Sequence, residues 1–147
     1  MIDYQERLPS PTEYRELRQS VAWNPFDDDD AAAGLEASLY GVCAIAQTDG
    51  GVVGMARVVG DGRLVFYVQD VIVRPEFQGL GVGGELMRRV MAHIDGRAAP
   101  NAFIGLMSVA GKEAFYEKFG FWRRPDGRFG FGMNLFVGNL IRPPSRA

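Results

Sequence analysis

The chain has 147 residues, with 16 Lys and Arg against 18 Asp and Glu, and a formal net charge of -2 at pH 7. That balance argues against a general nucleic-acid binder, and no apolar run approaches the roughly 20 residues that span a bilayer. Hydrophobic residues make up 47% and charged residues 23% of the chain, the ordinary mixture of a globular protein. We therefore expect one domain over residues 1–147 with no nucleic-acid or membrane partner.

The N-terminus and the cysteine content predict the compartment. The first residues, Met1 to Arg7, are mixed and charged, unlike a signal peptide. A lone Cys43 cannot form an internal disulfide, and its apolar neighbours indicate a small core residue instead of a nucleophile. The sequence thus predicts a cytoplasmic location.

In chain order, the pattern of apolar and turn residues predicts strands alternating with helices. A helix start is marked by Ser10, Pro11 and Glu13, because a serine cap, a proline at the first helical position and a glutamate three residues after the cap favour the first turn. The first half of the chain is predicted to contain a strand within Ile2–Leu8, a helix from Pro11, a short helix after Asp27–Asp30, and strands Val42–Ala46, Val52–Val59 and Leu64–Val73. The second half is predicted to contain a helix after a glycine-rich turn, a strand at Phe103 and Leu106–Val109, a helix ending near Phe119 and a strand Met133–Val137. The tail from Arg142 to Ala147 is expected to be frayed.

The most informative stretch lies between an apolar strand and a helix, and it reads Gln78-Gly79-Leu80-Gly81-Val82-Gly83-Gly84. A glycine-rich turn at a helix start presents unobstructed backbone N–H groups at the positive end of the helix dipole, which suits a phosphate or pyrophosphate. The same glycines fit a dinucleotide fingerprint, which needs an acidic residue about 20 positions further on to hold a ribose. Residues 102–107 contain no carboxylate, so a dinucleotide site is not predicted.

Two blocks of this sequence resemble the Gcn5-related N-acetyltransferases. The family signature, Gln/Arg-x-x-Gly-x-Gly/Ala between a strand and a helix, is matched by Gln78-x-x-Gly81-x-Gly83. The second block, Phe115-Tyr116-x-x-x-Gly120-Phe121, is similar to the other motif of the family on the acetyl-CoA side. The two blocks stand in the family's order, and the resemblance covers residues 40–137.

The resemblance implies a fold and a cosubstrate. The fold is α/β, with a mixed, mostly antiparallel central sheet of about six to seven strands, a splayed parallel pair and about four flanking helices. The cosubstrate is acetyl-CoA, no metal is implied, and a homodimer is left open. The pantetheine arm would lie between the splayed strands as an added half-strand. The residues expected to bind the cosubstrate are Val71, Ile72, Val73, Gln78, Gly79, Leu80, Gly81, Val82, Gly83 and Gly84.

The resemblance places the family's thiol-side acid on Tyr116. A phenol has an ordinary pKa of about 10, so it is protonated at neutral pH and can donate to a leaving sulfur. The alternative is that Phe115 and Tyr116 only close the core on their helix. Many members carry an asparagine seven residues before this tyrosine, where this chain has Val109. A side-chain contact to the cosubstrate arm is therefore either missing or made by Ser108.

An amine acceptor enters as ammonium, with a pKa near 10.4, and something must take its proton. Burial raises the pKa of a carboxyl group toward a useful value. Asp70, inside the apolar strand beside the cleft, is therefore the candidate base, and ordering the strand bend through bonds to backbone is the equal alternative. Tyr67, Glu36 and Asp27–Asp30 are other candidates, whereas His93, late on its helix, is expected at the surface.

Together these features predict an acetyl-CoA-dependent N-acetyltransferase that moves an acetyl group directly to a primary amine of a small molecule or peptide. No Ser/His/Asp or Cys/His set points to a covalent acyl-enzyme. The alternative is a non-catalytic acyl-CoA-binding sensor or regulatory domain, and the presence of Tyr116 favours the enzyme. Asp27–Asp30 would either attract a cationic acceptor or only cap the second helix, and we favour the cap.

Overall fold

The computed structural model describes residues 1–138, and the tail expected to be frayed, residues 142–147, lies outside them. The strands are β1 (Ile2–Gln5), β2 (Tyr40–Ala46), β3 (Val52–Gly60), β4 (Val65–Val73) and β5 (Phe103–Gly105), and the helices are α1 (Pro11–Ser20), α2 (Asp28–Glu36), α3 (Val82–Asp95) and α4 (Glu113–Glu117). The sheet order is β1-β2-β3-β4-β5, antiparallel throughout except for the parallel pair β4 and β5. The predicted fold class is confirmed, with five strands in the described residues instead of six or seven.

Helix α1 begins where the sequence predicts. The Ser10 hydroxyl accepts a hydrogen bond from the Glu13 backbone N–H, and the Glu13 carboxylate accepts one from the Ser10 backbone N–H. This capping box satisfies N–H groups that the helix itself leaves without partners. Tyr14 and Leu17 then turn one face of α1 toward the sheet, where both are buried.

The acidic run forms the start of α2. The Asp27 carboxylate accepts a hydrogen bond from the Asp29 backbone N–H, and Asp28 forms an ion pair with Arg15 of α1. Carboxylates at a helix N-terminus interact favourably with the helix dipole. The run therefore acts as the expected helix cap and joins α2 to α1.

The two faces of the sheet carry separate cores. Helix α3 covers one face with Leu86, Met87, Val90 and Ile94, all fully buried. Helices α1 and α2 cover the other face, where Cys43 is fully buried beside Leu17 and Leu35. Burying each large aliphatic side chain contributes about 1.5–3 kcal/mol, so the sheet and these helices fold as one unit. Burial also raises the pKa of the Cys43 thiol to about 11.

Two segments predicted as strands are not strands. Strand β5 ends at Gly105, and residues 106–109 leave the sheet unpaired; residues 133–137 are also outside the sheet. Both predictions came from apolar residue types, which suit a half-buried strand. Residue type alone does not show whether another strand is close enough to form backbone hydrogen bonds with the segment. None of the described helices is long and apolar enough to cross a membrane.

Candidate active site

The sheet opens at the carboxyl half of β4. Strand β5 pairs with β4 only over Val65–Tyr67, opposite Phe103–Gly105. Beyond Tyr67, β4 continues to Val73 beside β3, while no described strand covers its other edge. A parallel pair that separates in this way leaves backbone N–H and C=O groups facing a gap, and such an edge can take an added strand.

A cavity of about 280 Å³ lies in this gap. It brings together Tyr116, the predicted acid, with Asp70 and Val71 of β4. The residues that line it are Trp23, Tyr67, Val68, Gln69, Asp70, Val71, Leu106, Met107, Ser108, Val109, Tyr116, Asn134 and Phe136. Residues 106–109, which were wrongly predicted as a strand, form the wall opposite β4.

Asp70 lies at an irregularity of β4. Its φ is 57°, a left-handed conformation that few non-glycine residues adopt, aspartate being among the more tolerant. The pairing of β4 with β3 shifts register between Met55 and Arg57, opposite this residue. The extra residue increases the local twist, as a β-bulge does, and the strand bends where the cleft opens.

The Asp70 carboxylate is the centre of a buried ion-pair network. It accepts hydrogen bonds from the Tyr14 hydroxyl at 2.6 Å, from Nη1 of Arg18 at 3.0 Å and from Nε of Arg57 at 2.8 Å, and its side chain has no exposed area. Burial and the neighbouring Asp70 charge raise the pKa of Tyr14 to about 12.

These contacts bear on both interpretations of Asp70. The alternative foresaw hydrogen bonds from backbone, and the structure shows three side-chain donors instead. The base role stays a prediction, and the contacts argue against it, because a proton placed on this carboxylate would displace a donor from a guanidinium or the phenol. A buried charged group that loses its ion-pair partner destabilises the folded protein.

Tyr116 projects from α4 into the gap. Its ring packs edge-to-face on Phe115 at 5.0 Å and on Phe121 at 6.4 Å between centroids, so the ring is held by packing as the structural alternative foresaw. It also lines the cavity. Burial raises the pKa of its hydroxyl, which keeps the phenol protonated through the neutral range.

The glycine loop leads into α3 with two residues in the left-handed region, Gly79 at φ 78° and Gly81 at φ 85°, where glycine has no steric penalty. Gly81 is the N-cap and offers no side chain to the helix end. The first helical bond at this end is donated by the Glu85 N–H to the Gly81 carbonyl, so the N–H groups of Val82, Gly83 and Gly84 point out of the helix. A Cβ placed at Gly84 would meet nothing within 4 Å, so the space in front of the loop is open.

Gln78 joins the loop to the strand. Its side-chain Nε2 donates to the Val73 carbonyl at 2.9 Å, so that carbonyl is already satisfied. The Arg74 N–H donates to the Val53 carbonyl, so it faces β3. Because backbone groups alternate sides along a strand, the N–H and C=O groups of Val73 and Val71 face the opposite, open edge of β4. The Ile72 side chain is buried and its carbonyl lies against Gly54 of β3. Its contact with the cosubstrate stays a prediction.

Other predicted residues lie elsewhere, and several lining residues were not predicted. His93 stacks on Tyr40 at 4.2 Å between ring centroids, away from the cavity. Gln69, Asn134 and Phe136 line the cavity without having been singled out. Gln69 could have been suspected from its position beside Asp70, whereas no local signal brings the C-terminal residues to this cleft.

A family model described as an acetyltransferase (GNAT) domain matches residues 40–123 of this chain. The chain is 31% identical over 117 residues to the uncharacterized N-acetyltransferase ycf52 of Porphyra purpurea, a match covering 78% of this chain and 66% of that one. It is 39% identical over 74 residues to the chloroplastic serotonin N-acetyltransferase 2 of Oryza sativa subsp. japonica, covering 50% of this chain and 36% of the rice protein. The chain therefore spans just under two thirds of the first relative and about a third of the second.

Solved structures agree with these sequence matches. A protein of unknown function from meticillin-resistant Staphylococcus aureus, described as a probable acetyltransferase, superposes with a TM-score of 0.84 at 27% identity, covering 93% of this chain and 100% of that one. A GNAT family acetyltransferase from Streptococcus pneumoniae gives a TM-score of 0.71 at 25% identity, covering 91% and 100%. The splayed sheet and the uncapped N-terminus of α3 are features of the structure, and the sequence and structure matches identify the domain as an acetyltransferase domain. This chain belongs to the GNAT acetyltransferase family.

Proposed function

We propose that this protein transfers an acetyl group from acetyl-CoA directly to a primary amine. The observation that carries the proposal is the juxtaposition of three features: an open edge of β4, Tyr116 in the cavity at that edge, and an uncapped N-terminus of α3, whose Gly83 lies near Val73 of β4 and Phe115 of α4. Membership of the acetyltransferase family supports the transferase class. What we propose beyond the transferase class is the cosubstrate acetyl-CoA, the class of acceptor and the role of each residue.

The chain's own groups fit acetyl-CoA. The outward N–H groups of Val82, Gly83 and Gly84, at the positive end of α3, would hold the diphosphate. The glycines leave room for it, because no Cβ occupies the space at Gly79, Gly81 or Gly84. The open edge at Val71 and the N–H of Val73 would pair with the amides of the pantetheine arm. Ile72 contributes packing and no cleft-facing backbone group.

Acetyl-CoA, when bound, supplies a thioester whose acyl carbon accepts the amine nitrogen. The carbon–nitrogen bond forms while the carbon–sulfur bond breaks, and the departing sulfur needs a proton. Tyr116 is the donor that the geometry favours, since burial keeps its hydroxyl protonated and its ring is fixed by Phe115 and Phe121. Solvent would return the proton to the phenol and take the one that the amine loses.

Asp70 is assigned a positioning role in place of the base. Its network connects three elements, because Tyr14 and Arg18 belong to α1, Arg57 belongs to β3 and Asp70 itself belongs to β4. The Arg18 guanidinium also lies 5.5 Å from the ring centroid of Trp23, a residue of the cavity wall. The ion pairs would thus hold the bend of β4 and the acceptor side of the cleft in one arrangement.

The acceptor proposed is a small aromatic or aliphatic primary amine. Trp23, Tyr67 and Phe136 line the cavity, and aromatic faces attract an ammonium group before it loses its proton. Among the described residues of the cavity wall the one carboxylate is Asp70, and its partners engage both of its oxygens. The name of the rice relative, serotonin N-acetyltransferase, supports an arylalkylamine, and a peptide amine is the other acceptor in the proposal. The cytoplasmic location stays a prediction, since that relative is named as chloroplastic.

The test is a transfer assay with acetyl-CoA and a panel of primary amines. The panel includes arylalkylamines, alkyl diamines, amino sugars and peptides, and the readouts are released CoA thiol and the mass of the product. Arylalkylamines should be acetylated with the highest kcat/KM. Binding of CoA without turnover on any amine would favour the sensor alternative. No binding of CoA at all would overturn the proposed function.

A further inference from the structure

Residues 21–26, which connect α1 to α2 and are here called the Trp23 loop, form one wall of the cleft. They lie outside every helix and strand, and Trp23 lines the cavity that contains Tyr116. Ala22 has a φ of 61°, in the left-handed region that few residues other than glycine adopt. A strained loop without secondary structure keeps one arrangement only where its surroundings hold it.

Arg18 of α1 holds this loop through its side chain and its backbone. Its Nε donates to the Asn24 carbonyl at 2.7 Å, and its carbonyl accepts a hydrogen bond from the Trp23 N–H at 2.9 Å. The central guanidinium carbon lies 5.5 Å from the ring centroid of Trp23 and 4.8 Å from that of Phe26. A planar guanidinium can stack on aromatic rings while the N–H groups in its plane form hydrogen bonds. One side chain therefore contacts both the backbone and the rings of the loop.

The other end of the same guanidinium is fixed to the sheet. Its Nη1 donates to the Asp70 carboxylate of β4 at 3.0 Å, and the Arg18 side chain is only 13% exposed. Asp70 is held in turn by Tyr14 and by Arg57 of β3. Because this anchor is buried and belongs to the sheet, Arg18 sets the position of the Trp23 loop relative to β4.

We propose that Arg18 is a positioning residue that holds Trp23 against the cleft, and that Trp23 so placed selects acceptors with an aromatic ring. The inference rests on the proposed function, since the acceptor must enter this cavity. Arg18 acts through the indole and not by contact with the substrate. Aromatic pairs depend on the distance and angle between the rings, and a wall that is already ordered costs less conformational entropy on binding.

The charges behind the wall add to this selection. Arg18 and Arg57 face the single carboxylate of Asp70, so two positive groups oppose one negative group and the network is positive overall. Like charges at short range repel each other in a poorly solvated site. The wall at Trp23 therefore suits the uncharged ring of a monoamine and disfavours the second ammonium group of a diamine.

The experiment compares two acceptors, phenethylamine and butylamine, which share a primary amine and differ in the ring. The measured quantity is the ratio of their kcat/KM values with acetyl-CoA. Trp23→Ala should lower this ratio about tenfold, or about 1.4 kcal/mol, because the acceptor ring loses its partner. The KM for acetyl-CoA should stay at the wild-type value, since the glycine loop is unchanged.

Arg18→Lys should lower the ratio by a similar factor. A lysine keeps the charge, but its compact ammonium cannot donate to Asp70 and Asn24 together while stacking on Trp23. The double variant Arg18→Lys/Trp23→Ala should have the same ratio as Trp23→Ala alone, because without the indole Arg18 has nothing to position. Such non-additivity shows that the two residues act together.

Two further variants separate this role from a general loss of ion pairs. Arg15→Lys, also in α1 and paired with Asp28 of α2, is the matched control and should keep the wild-type ratio. Arg57→Lys weakens the other ion pair of the Asp70 carboxylate without a contact to Trp23. It should lower stability in urea unfolding, and its effect on kcat/KM should be equal for the two amines.

An unchanged ratio in folded Arg18→Lys would overturn the proposal, as would additive effects in the double variant. If Arg18→Lys does not fold, an unchanged ratio in Trp23→Ala overturns it without that variant. Turnover of both amines by the wild type, with the same ratio in every variant, would contradict this inference and leave the proposed function intact. A wild type that acetylates neither these nor any other amines would overturn both.

Discussion

At the residue scale, Tyr116 carries the chemistry proposed here. Tyr116→Phe keeps the ring that packs on Phe115 and Phe121 and removes the proton donor. We expect kcat to fall about 100-fold or more, the usual range of acid catalysis, with the KM for acetyl-CoA unchanged. Steady-state thiol release measures both.

The control for this variant is Tyr40→Phe, the same change at a phenol that donates to Glu6 and lies outside the cavity. It should keep the wild-type kcat. Equal turnover in Tyr116→Phe and the wild type would return Tyr116 to its packing role alone.

Asp70 allows a test that separates positioning from proton removal. Asp70→Asn removes the charge that Arg18 and Arg57 surround. Breaking a buried pair from one side costs about 3–5 kcal/mol, so urea unfolding should show a large loss of stability. Where the variant is folded, kcat should fall while the shape of the pH–rate profile is unchanged.

A base would behave differently in the same experiment. If Asp70 takes the amine proton, Asp70→Asn should abolish the acidic limb of the kcat/KM profile. That outcome would contradict the positioning role. Glu13→Gln, which weakens the exposed pair with Arg7, is the control for a lost ion pair without an effect on the cleft.

At the scale of the elements, the glycine loop leads into α3 as the sequence predicts, and its binding of the diphosphate stays a prediction. Gly84→Val is the sharper test of phosphate binding than a change at Gly81, because Gly81 has φ 85° and a side chain there would be strained in any case. A Cβ at Gly84 meets no neighbour, and a valine there would add bulk to the first turn of α3, beside the outward N–H groups. We expect calorimetry to show CoA affinity reduced about tenfold or more, or 1.4 kcal/mol in binding free energy.

Gly34→Val in α2 provides the matched control, since that helical glycine also has open space around it and lies away from the loop. Both variants gain a comparable helix preference, because valine is a better helix former than glycine, so thermal stability should change by similar amounts. Equal CoA affinity in the two variants would exclude the loop as the diphosphate site.

Elements with local signals were predictable, and those that depend on distant partners were not. The capping box of Ser10 and Glu13 and the glycine loop act within a few residues, so the sequence alone located them. The partners of Asp70 lie 13 residues away at Arg57, and more than 50 away at Arg18 and Tyr14. Only the folded sheet brings these groups together. The strand predicted at Met133–Val137 failed for the same reason, because its pattern is strand-like but no described edge receives it.

At the scale of the whole molecule, the Tyr14–Asp70 contact couples folding to pH. The pKa of Tyr14 is about 12 in the folded protein, against about 10 in an unfolded chain. The folded state therefore holds this proton more tightly, so its contribution is complete below pH 10 and is lost as the pH rises to about 12. The melting temperature of the wild type should fall across this window more steeply than that of Tyr14→Phe.

Tyr116→Phe serves as a comparison in the same melting series, since the pKa of Tyr116 is also raised but without a hydrogen-bonded carboxylate. Identical slopes for the wild type and Tyr14→Phe above pH 10 would show that Tyr14 does not account for the alkaline loss.

The buried Cys43 determines how this molecule can be followed with thiol reagents. Its side chain has no exposed surface and its Sγ lies 3.4 Å from the Arg7 carbonyl, so a colorimetric disulfide reagent should not react with the native protein. Any colour that develops during turnover then counts released CoA and needs no correction for the protein. The same reagent added during denaturation reports exposure of the core under α1 and α2. The native cysteine therefore gives no signal in the activity assay and serves as a probe of unfolding.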